Sequence, residues 1–261
     1  MKFTKLAGLT LLVLLVSLSG CSSMSKLLTK NSVDTVTQNT PQTTSLPESS
    51  DPWINKAQAL KAQPNRYLSQ SSNIELAPHL RQRFAQGQEL MSQDKWAEAQ
   101  DVYLRLAEQY PLMSGIWLQL ATIQKNKITA TMDEAAQQQK RDMQLSYLNN
   151  AVKANPDNYF AHNQLALVLR QQGQFTRALQ HYDLALSSWP VFPEARLNRA
   201  ILNDLYMGNK SKALEDYQLY QALLAEPSRQ VKGWIMDIER QIQAQQQEFN
   251  ANSGSIKGEG Q

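Results

Sequence analysis

Residues 159–190, YFAHNQLALVLRQQGQFTRALQHYDLALSSWP, decide the fold of this chain. Ala166, Leu169, Ala178, Tyr182 and Ala185 stand 24, 21, 12, 8 and 5 positions before Pro190. Gly87, Leu90, Ala99, Tyr103 and Leu106 stand at the same offsets before Pro111. Spacings of three, four and seven put such residues on one helical face. Small residues are needed where two helices cross closely, because large ones force the axes apart. Proline ends the second helix of each block and turns the chain into the next. The marker prolines Pro111, Pro156, Pro190 and Pro227 are separated by 45, 34 and 37 residues. A period near 34 with this grammar predicts an all-α stack of helix pairs. Stacks of this kind commonly present a surface to another protein.

Working outward, the first pair covers about 80–113. Its helix A carries Phe84, Gly87, Leu90 and Met91, and its helix B carries Trp96, Ala99, Tyr103 and Leu106. Asp94 is expected to cap helix B. The second pair, about 114–158, begins with Trp117, Leu120 and Ala121 and closes on Leu148 and Ala151, but it holds eleven residues beyond one repeat. These fall between Gln124 and Gln144. Thr131-Met132-Asp133-Glu134 reads as a capping box, predicting a loop near 126–130 and a helix B longer by about two to three turns. The extra turns are either a tolerated insertion or an arm that touches a partner. Gln144 occupies a crossing position that is alanine elsewhere, which puts the packing of this pair in question. The fourth pair, about 193–227, is worn: Ala200, Gly208, Ala213 and Tyr217 remain recognisable. Val231, Trp234, Ile235, Ile238 and Ile242 then recur at helical spacing and predict a capping helix over 228–250. Residues 251–261, with three glycines, are expected to be disordered.

The repeat region, 78–227, is preceded by three segments of different composition. Residues 1–20 carry Lys2 and Lys5 and an apolar core from Leu6 to Leu18, too short to span a bilayer and of signal-peptide length. Residues 21–51 are rich in Ser, Thr, Gln and Asn without periodic apolar positions, predicting a disordered tether of roughly 30 Å as a coil. Residues 52–77 begin with Asp51-Pro52, a helix start carrying Trp53, Ala57 and Leu60, and continue irregularly from Pro64. The chain holds 26 Lys+Arg against 23 Asp+Glu, and 24 against 23 once the leader lysines are discounted. No basic stripe marks a nucleic-acid surface. The single cysteine, Cys21, excludes an intramolecular disulfide.

Two resemblances follow. Leu18-Ser19-Gly20-Cys21 resembles the bacterial lipobox, and the blocks from about 80 to 227 resemble the tetratricopeptide repeat. The first implies cleavage before Cys21, transfer of diacylglycerol to its thiol and acylation (palmitate) of the new amine. Several acyl chains anchor firmly. Ser22, where an aspartate would imply inner-membrane retention, implies an outer-membrane lipoprotein facing the periplasm. The second implies a tetratricopeptide-type helical-hairpin solenoid with a C-terminal capping helix, in which Gly87, Ala99, Tyr103, Ala121, Ala166, Ala178, Tyr182, Ala185, Ala200 and Ala213 hold the pairs together.

In that family helix A lines the concave side. Here this implies Arg81, Phe84, Gln88 and Met91 from the first pair, Leu118, Thr122 and Lys125 from the second, and Phe160, Asn163, Leu167 and Arg170 from the third. Such a mixed groove suits an extended or helical peptide. Phe84 and Gln88 stand where a carboxylate clamp needs Lys and Asn, so binding of chaperone tails is not implied. No residues form a catalytic grouping, no cofactor is implied, and no two of His79, His162 and His181 have metal-site spacing. The chain therefore reads as a non-catalytic, membrane-tethered scaffold for an envelope protein. Assembly of a pilus or secretion channel and docking of peptidoglycan enzymes are alternatives, with an enzyme the least expected.

Overall fold

The computed structural model describes residues 49–71, 77–129 and 131–258, with side chains through Asn250 except at Ser71. The expected signal peptide and nearly all of the expected tether lie outside these residues. Every element within them is helical. Two helices, α1 (Pro52–Lys61) and α2 (Arg66–Ser71), precede four antiparallel pairs: α3 (Pro78–Ser92) with α4 (Trp96–Gln109), α5 (Ser114–Asn126) with α6 (Glu134–Ala154), α7 (Tyr159–Gln171) with α8 (Phe175–Ser188), and α9 (Pro193–Leu205) with α10 (Lys210–Leu223). The cap α11 (Arg229–Gly258) packs on α10.

The core follows from the small residues. Ala99, Ala166, Ala178, Ala185, Ala200 and Ala213 are fully buried, and Ala121 nearly so. Beside them Tyr103, Tyr182 and Tyr217 fill the space the small side chains leave. At Gly87 the approach is closest: a Cβ there would stand 2.6 Å from the Tyr103 ring, whose hydroxyl donates to the Phe84 carbonyl at 3.2 Å. Buried side chains continue from one pair to the next, α4 against α5 and α6 against α7, so no pair closes a core alone. Asn158 joins two of them: it caps α7 through Ala161 N at 3.0 Å and donates to Ser114 Oγ at 2.6 Å, which donates to the Ala151 carbonyl at 2.8 Å.

The short turns inside the first, third and fourth pairs each place one residue in the left-handed region. Gly173 (φ 73°) and Gly208 (φ 67°) supply it in the third and fourth pairs, and Asp94 (φ 59°) in the first. Asp94 is therefore the residue that stops α3, not the N-cap of α4; that position is held by Lys95 without a side-chain bond.

The second pair carries its insertion as a longer helix. At 21 residues α6 exceeds the 14 of α4 and α8. Its cap is Asp133, which accepts from Ala136 N at 2.7 Å; Thr131 instead faces Thr129, Oγ1 to Oγ1 at 2.9 Å. The aspartate wins because, two residues nearer the apolar run, it begins the helix with two fewer loop residues ordered as helix. Gln144 lies buried at the crossing, and α5 and α6 still pack closely.

Three boundaries differ from those expected. Ser49–Asp51 are fixed: Ser49 N donates to Asn55 Oδ1 at 2.9 Å and Asp51 accepts from Trp53 N at 2.8 Å. Within the stretch expected to be irregular, Asn65 starts α2 by accepting from Leu68 N at 3.0 Å. At the other end α11 continues helical to Gly258, since no proline follows Pro227 and a lone glycine costs a helix only about 1 kcal/mol.

Two substitutions test the crossing and the turn. Gly87→Ala should lose about 1–3 kcal/mol in urea unfolding, because the enclosed Tyr103 ring has nowhere to move. Asp94→Gly should gain about 0.5–1 kcal/mol by relieving the left-handed backbone. Equal stability of the three proteins would contradict both assignments.

Candidate binding surface

The residues expected to line the A-helix face fall into three groups. Arg81 and Lys125 are exposed, and Phe84, Gln88, Met91, Thr122, Phe160, Leu167 and Arg170 are half-buried. Leu118 and Asn163 are buried. Leu118 joins the core between the second and third pairs. Asn163 Oδ1 accepts from Asn198 Nδ2 at 3.1 Å, which ties α7 to α9. Those two are packing groups, and the available surface is narrower than expected.

Packing also claims part of the aromatic character. Phe84 meets Tyr103 edge-on at 5.3 Å, and Phe160 lies 4.1 Å from Tyr159 and 5.4 Å from Phe192 between ring centroids. Thr122 Oγ1 donates back to the Leu118 carbonyl at 2.9 Å. What stays free is mostly unbranched and polar: Arg81, Gln88, Lys125 and Arg170, with Leu167, whereas Met91 packs against the core of the first pair. The Arg170 guanidinium makes no hydrogen bond or ion pair among the described residues, and its Nη1 is shielded from solvent without an acceptor. Tyr182 Oη, buried near it, also lacks a partner; burial pushes that phenol up to about 12, against the pull of the Arg170 charge.

Unit four contributes groups that sequence reading assigned to no role. Asp216, buried between α9 and α10, accepts from Arg196 Nη1 at 3.1 Å and from Arg199 Nε and Nη2, each at 2.7 Å. Arg199 Nη1 reaches Asp183 at 2.6 Å. The two arginines respond oppositely. Burial lowers Arg196 more than Asp216 restores it. Burial also opposes the Arg199 charge, but bonds to Asp216 and Asp183 outweigh it and raise the group. These residues stand 16 to 20 positions apart, a spacing that carries no signal before the helix pair is built.

The structure also brings His162 and His181 together, Nδ1 to Nδ1 at 2.9 Å. His162 Nε2 lies 2.9 Å from the Pro156 carbonyl and must donate to it. His162 Nδ1 is then the acceptor, and His181 Nδ1–H the donor. The pair is thus a neutral link between α7 and α8. Burial lowers His162, against the Pro156 bond and the Asp157 charge. Burial, with the His162 and Arg177 charges, pushes His181 down to about 4. Among the described residues no three His, Cys, Asp or Glu side chains gather to hold a metal. No described helix is long and apolar enough to cross a membrane.

The histidine link makes stability depend on pH. The unfolded chain takes up the His181 proton near pH 6.5, the folded one near 4, so between those values unfolding binds protons and acid favours it. The folded state should lose about 1–2 kcal/mol from pH 6.5 to 4, allowing for partial exposure of the ring. His181→Gln should flatten this part of the stability curve. Parallel curves for the two proteins, followed by urea unfolding, would refute the linkage.

Comparison with known proteins places this geometry. Residues 133–193 and 164–226 match the family model described as tetratricopeptide repeat. A thermophilic tetratricopeptide repeat protein of Thermus thermophilus is 18% identical, with a TM-score of 0.51 over 71% of this chain and 90% of that one. A tetratricopeptide repeat protein of Parabacteroides merdae is 15% identical, with a TM-score of 0.51 over 70% of this chain and 69% of that one. No curated protein sequence matches significantly. Residues 133–226 thus match the tetratricopeptide repeat model, and the described fold is a tetratricopeptide-type helical solenoid with a C-terminal cap.

Proposed function

We propose that this protein is a non-catalytic scaffold, held to the periplasmic face of the outer membrane through lipidated Cys21, that binds an envelope protein along its A-helix face. Helical repeats hold other proteins on their exposed faces, and an apolar-and-cationic strip suits an extended or helical peptide. The observation that carries the reading is Arg170: a guanidinium beside Leu167 on the A-helix face, without an acceptor among the described residues. A donor left unsatisfied at a half-buried position is costly, and a peptide carbonyl or carboxylate laid along α7 would satisfy it. The membrane anchor rests on the sequence Leu18-Ser19-Gly20-Cys21.

Photo-crosslinking in living cells tests the binding face. A crosslinker at Gln88, Leu167 or Arg170 should capture one envelope protein repeatedly, whereas one at exposed Leu184 on α8 should not. Equal capture from Leu184, or none from the A-helix positions, would sink the reading. The anchor is tested separately: Cys21→Ser should abolish palmitate labelling and release the protein from the membrane fraction. A variant that stays labelled and membrane-bound would overturn lipidation.

A further inference from the structure

The seven additional residues of α6 and the loop before them contribute to a second surface. A cleft of about 470 Å³ opens where the turn between α3 and α4, the loop after α5 and the start of α6 meet. Three lysines line it, one from each segment: Lys95, Lys127 and Lys140. Lys140 lies within the added turns, so the insertion itself completes the cluster. Trp96 and Met132 supply apolar wall.

The three cations outnumber the two acids of the cleft and are only partly balanced within the fold. Lys127 Nζ donates to the neutral Gln100 Oε1 at 2.8 Å, and none of the three lysines forms an ion pair among the described residues. Two acidic residues, Asp94 and Glu98, also line the cleft, but on the turn and first turn of α4. Lys127 is held down by burial and by the Lys140 charge, with Asp101 opposing. Bringing like charges together costs free energy, and an anion between them recovers it.

We propose that this cleft binds an acidic peptide segment of a partner protein, with a carboxylate between Lys127 and Lys140 and an adjacent apolar side chain on Trp96. Asp94 and Glu98 disfavour a compact multiply charged anion such as phosphate. They tolerate a peptide, whose single carboxylates are spaced and whose backbone N–H groups donate. The proposal is independent of the A-helix reading, because none of these side chains belongs to that face.

The test uses the full-length protein labelled with 5-fluorotryptophan, with the Trp96 resonance assigned from Trp96→Phe. A short amidated peptide alternating Glu and Leu should shift that resonance saturably. Its Gln/Leu and Lys/Leu counterparts, and inorganic phosphate at equal concentration, should not. Lys127→Gln with Lys140→Gln should weaken the peptide by about tenfold or more. If that pair of changes unfolds the protein, Lys140→Gln alone, which removes no bond within the fold, should still weaken it about threefold. An unmoved Trp96 resonance, undiminished affinity in the variants, or an equal response to phosphate or to the Gln/Leu peptide would overturn the proposal. Crosslinks from Leu167 or Arg170 would be unaffected by any of these outcomes.

Discussion

The constraint on which this solenoid depends is how closely two helices of a pair approach. Gly87 leaves no room for even one carbon before Tyr103, and Ala166, Ala178 and Ala185 repeat the pattern of small side chains in the third pair. Close axes bring the aromatic ring of helix B under helix A, and the ring carries the buried area that the small residues forgo. A fully buried aromatic contributes on the order of 2–3 kcal/mol, so each pair exchanges bulk at the crossing for bulk beside it. Neighbouring pairs then supply the remaining walls. An isolated pair would leave half its apolar face in water.

Unit four meets the same constraint under poorer conditions. Its repeat is worn, and its outer side faces a single helix instead of another pair. The Asp216 network stands where a longer apolar core is missing. A buried carboxylate with two arginines is seldom worth more than a well-packed hydrophobic patch, yet removing its centre would leave buried Arg196 without a counter-charge at a cost of about 3–5 kcal/mol. The network therefore fixes the register of α9 against α10 more than it adds stability. Tyr217 and Trp234, 5.5 Å apart between ring centroids, then join α10 to the cap, and Val231 and Ile238 close the core.

The periodic features were legible because they are local. Small residues at fixed offsets, prolines at block ends and the stripe from Val231 to Ile242 each express helix geometry over a few turns, so helix pairs and cap read directly. What the sequence hid is what depends on non-local placement. Nothing in the spacing of Leu118 or Asn163 separates a groove residue from one claimed by the neighbouring pair, because both lie on the same helix face. His162 and His181 are 19 positions apart and meet only because α7 and α8 are antiparallel. Asp94 misled for a different reason: aspartate is both a common N-cap and one of the few residues that tolerate left-handed backbone. Its alignment with Gly173 was the available signal, and it favours the turn.

The same distinction between repeat and non-repeat contacts bears on α1 and α2. They belong to no pair, yet α1 lies on α10, and Tyr67 of α2 meets Tyr159 edge-on at 5.9 Å. Their polar ties include Lys56 to Glu215 at 2.5 Å, Arg66 to Asp157 at 2.8 Å and to Ser187 at 3.2 Å, and Gln70 to Asp157 at 2.7 Å and to Asn155 at 3.3 Å. An exposed ion pair contributes about 0–1 kcal/mol, and Ala57 is the only residue of α1 that is fully enclosed. The segment is thus held by much less than any helix pair. Its opening is expected at a free energy below that of global unfolding. Because α1 docks on the last pair and α2 beside the start of α7, the chain enters its fold away from the first pair. Force applied through residue 49 would reach α1 on α10 before it reached α2 beside α7.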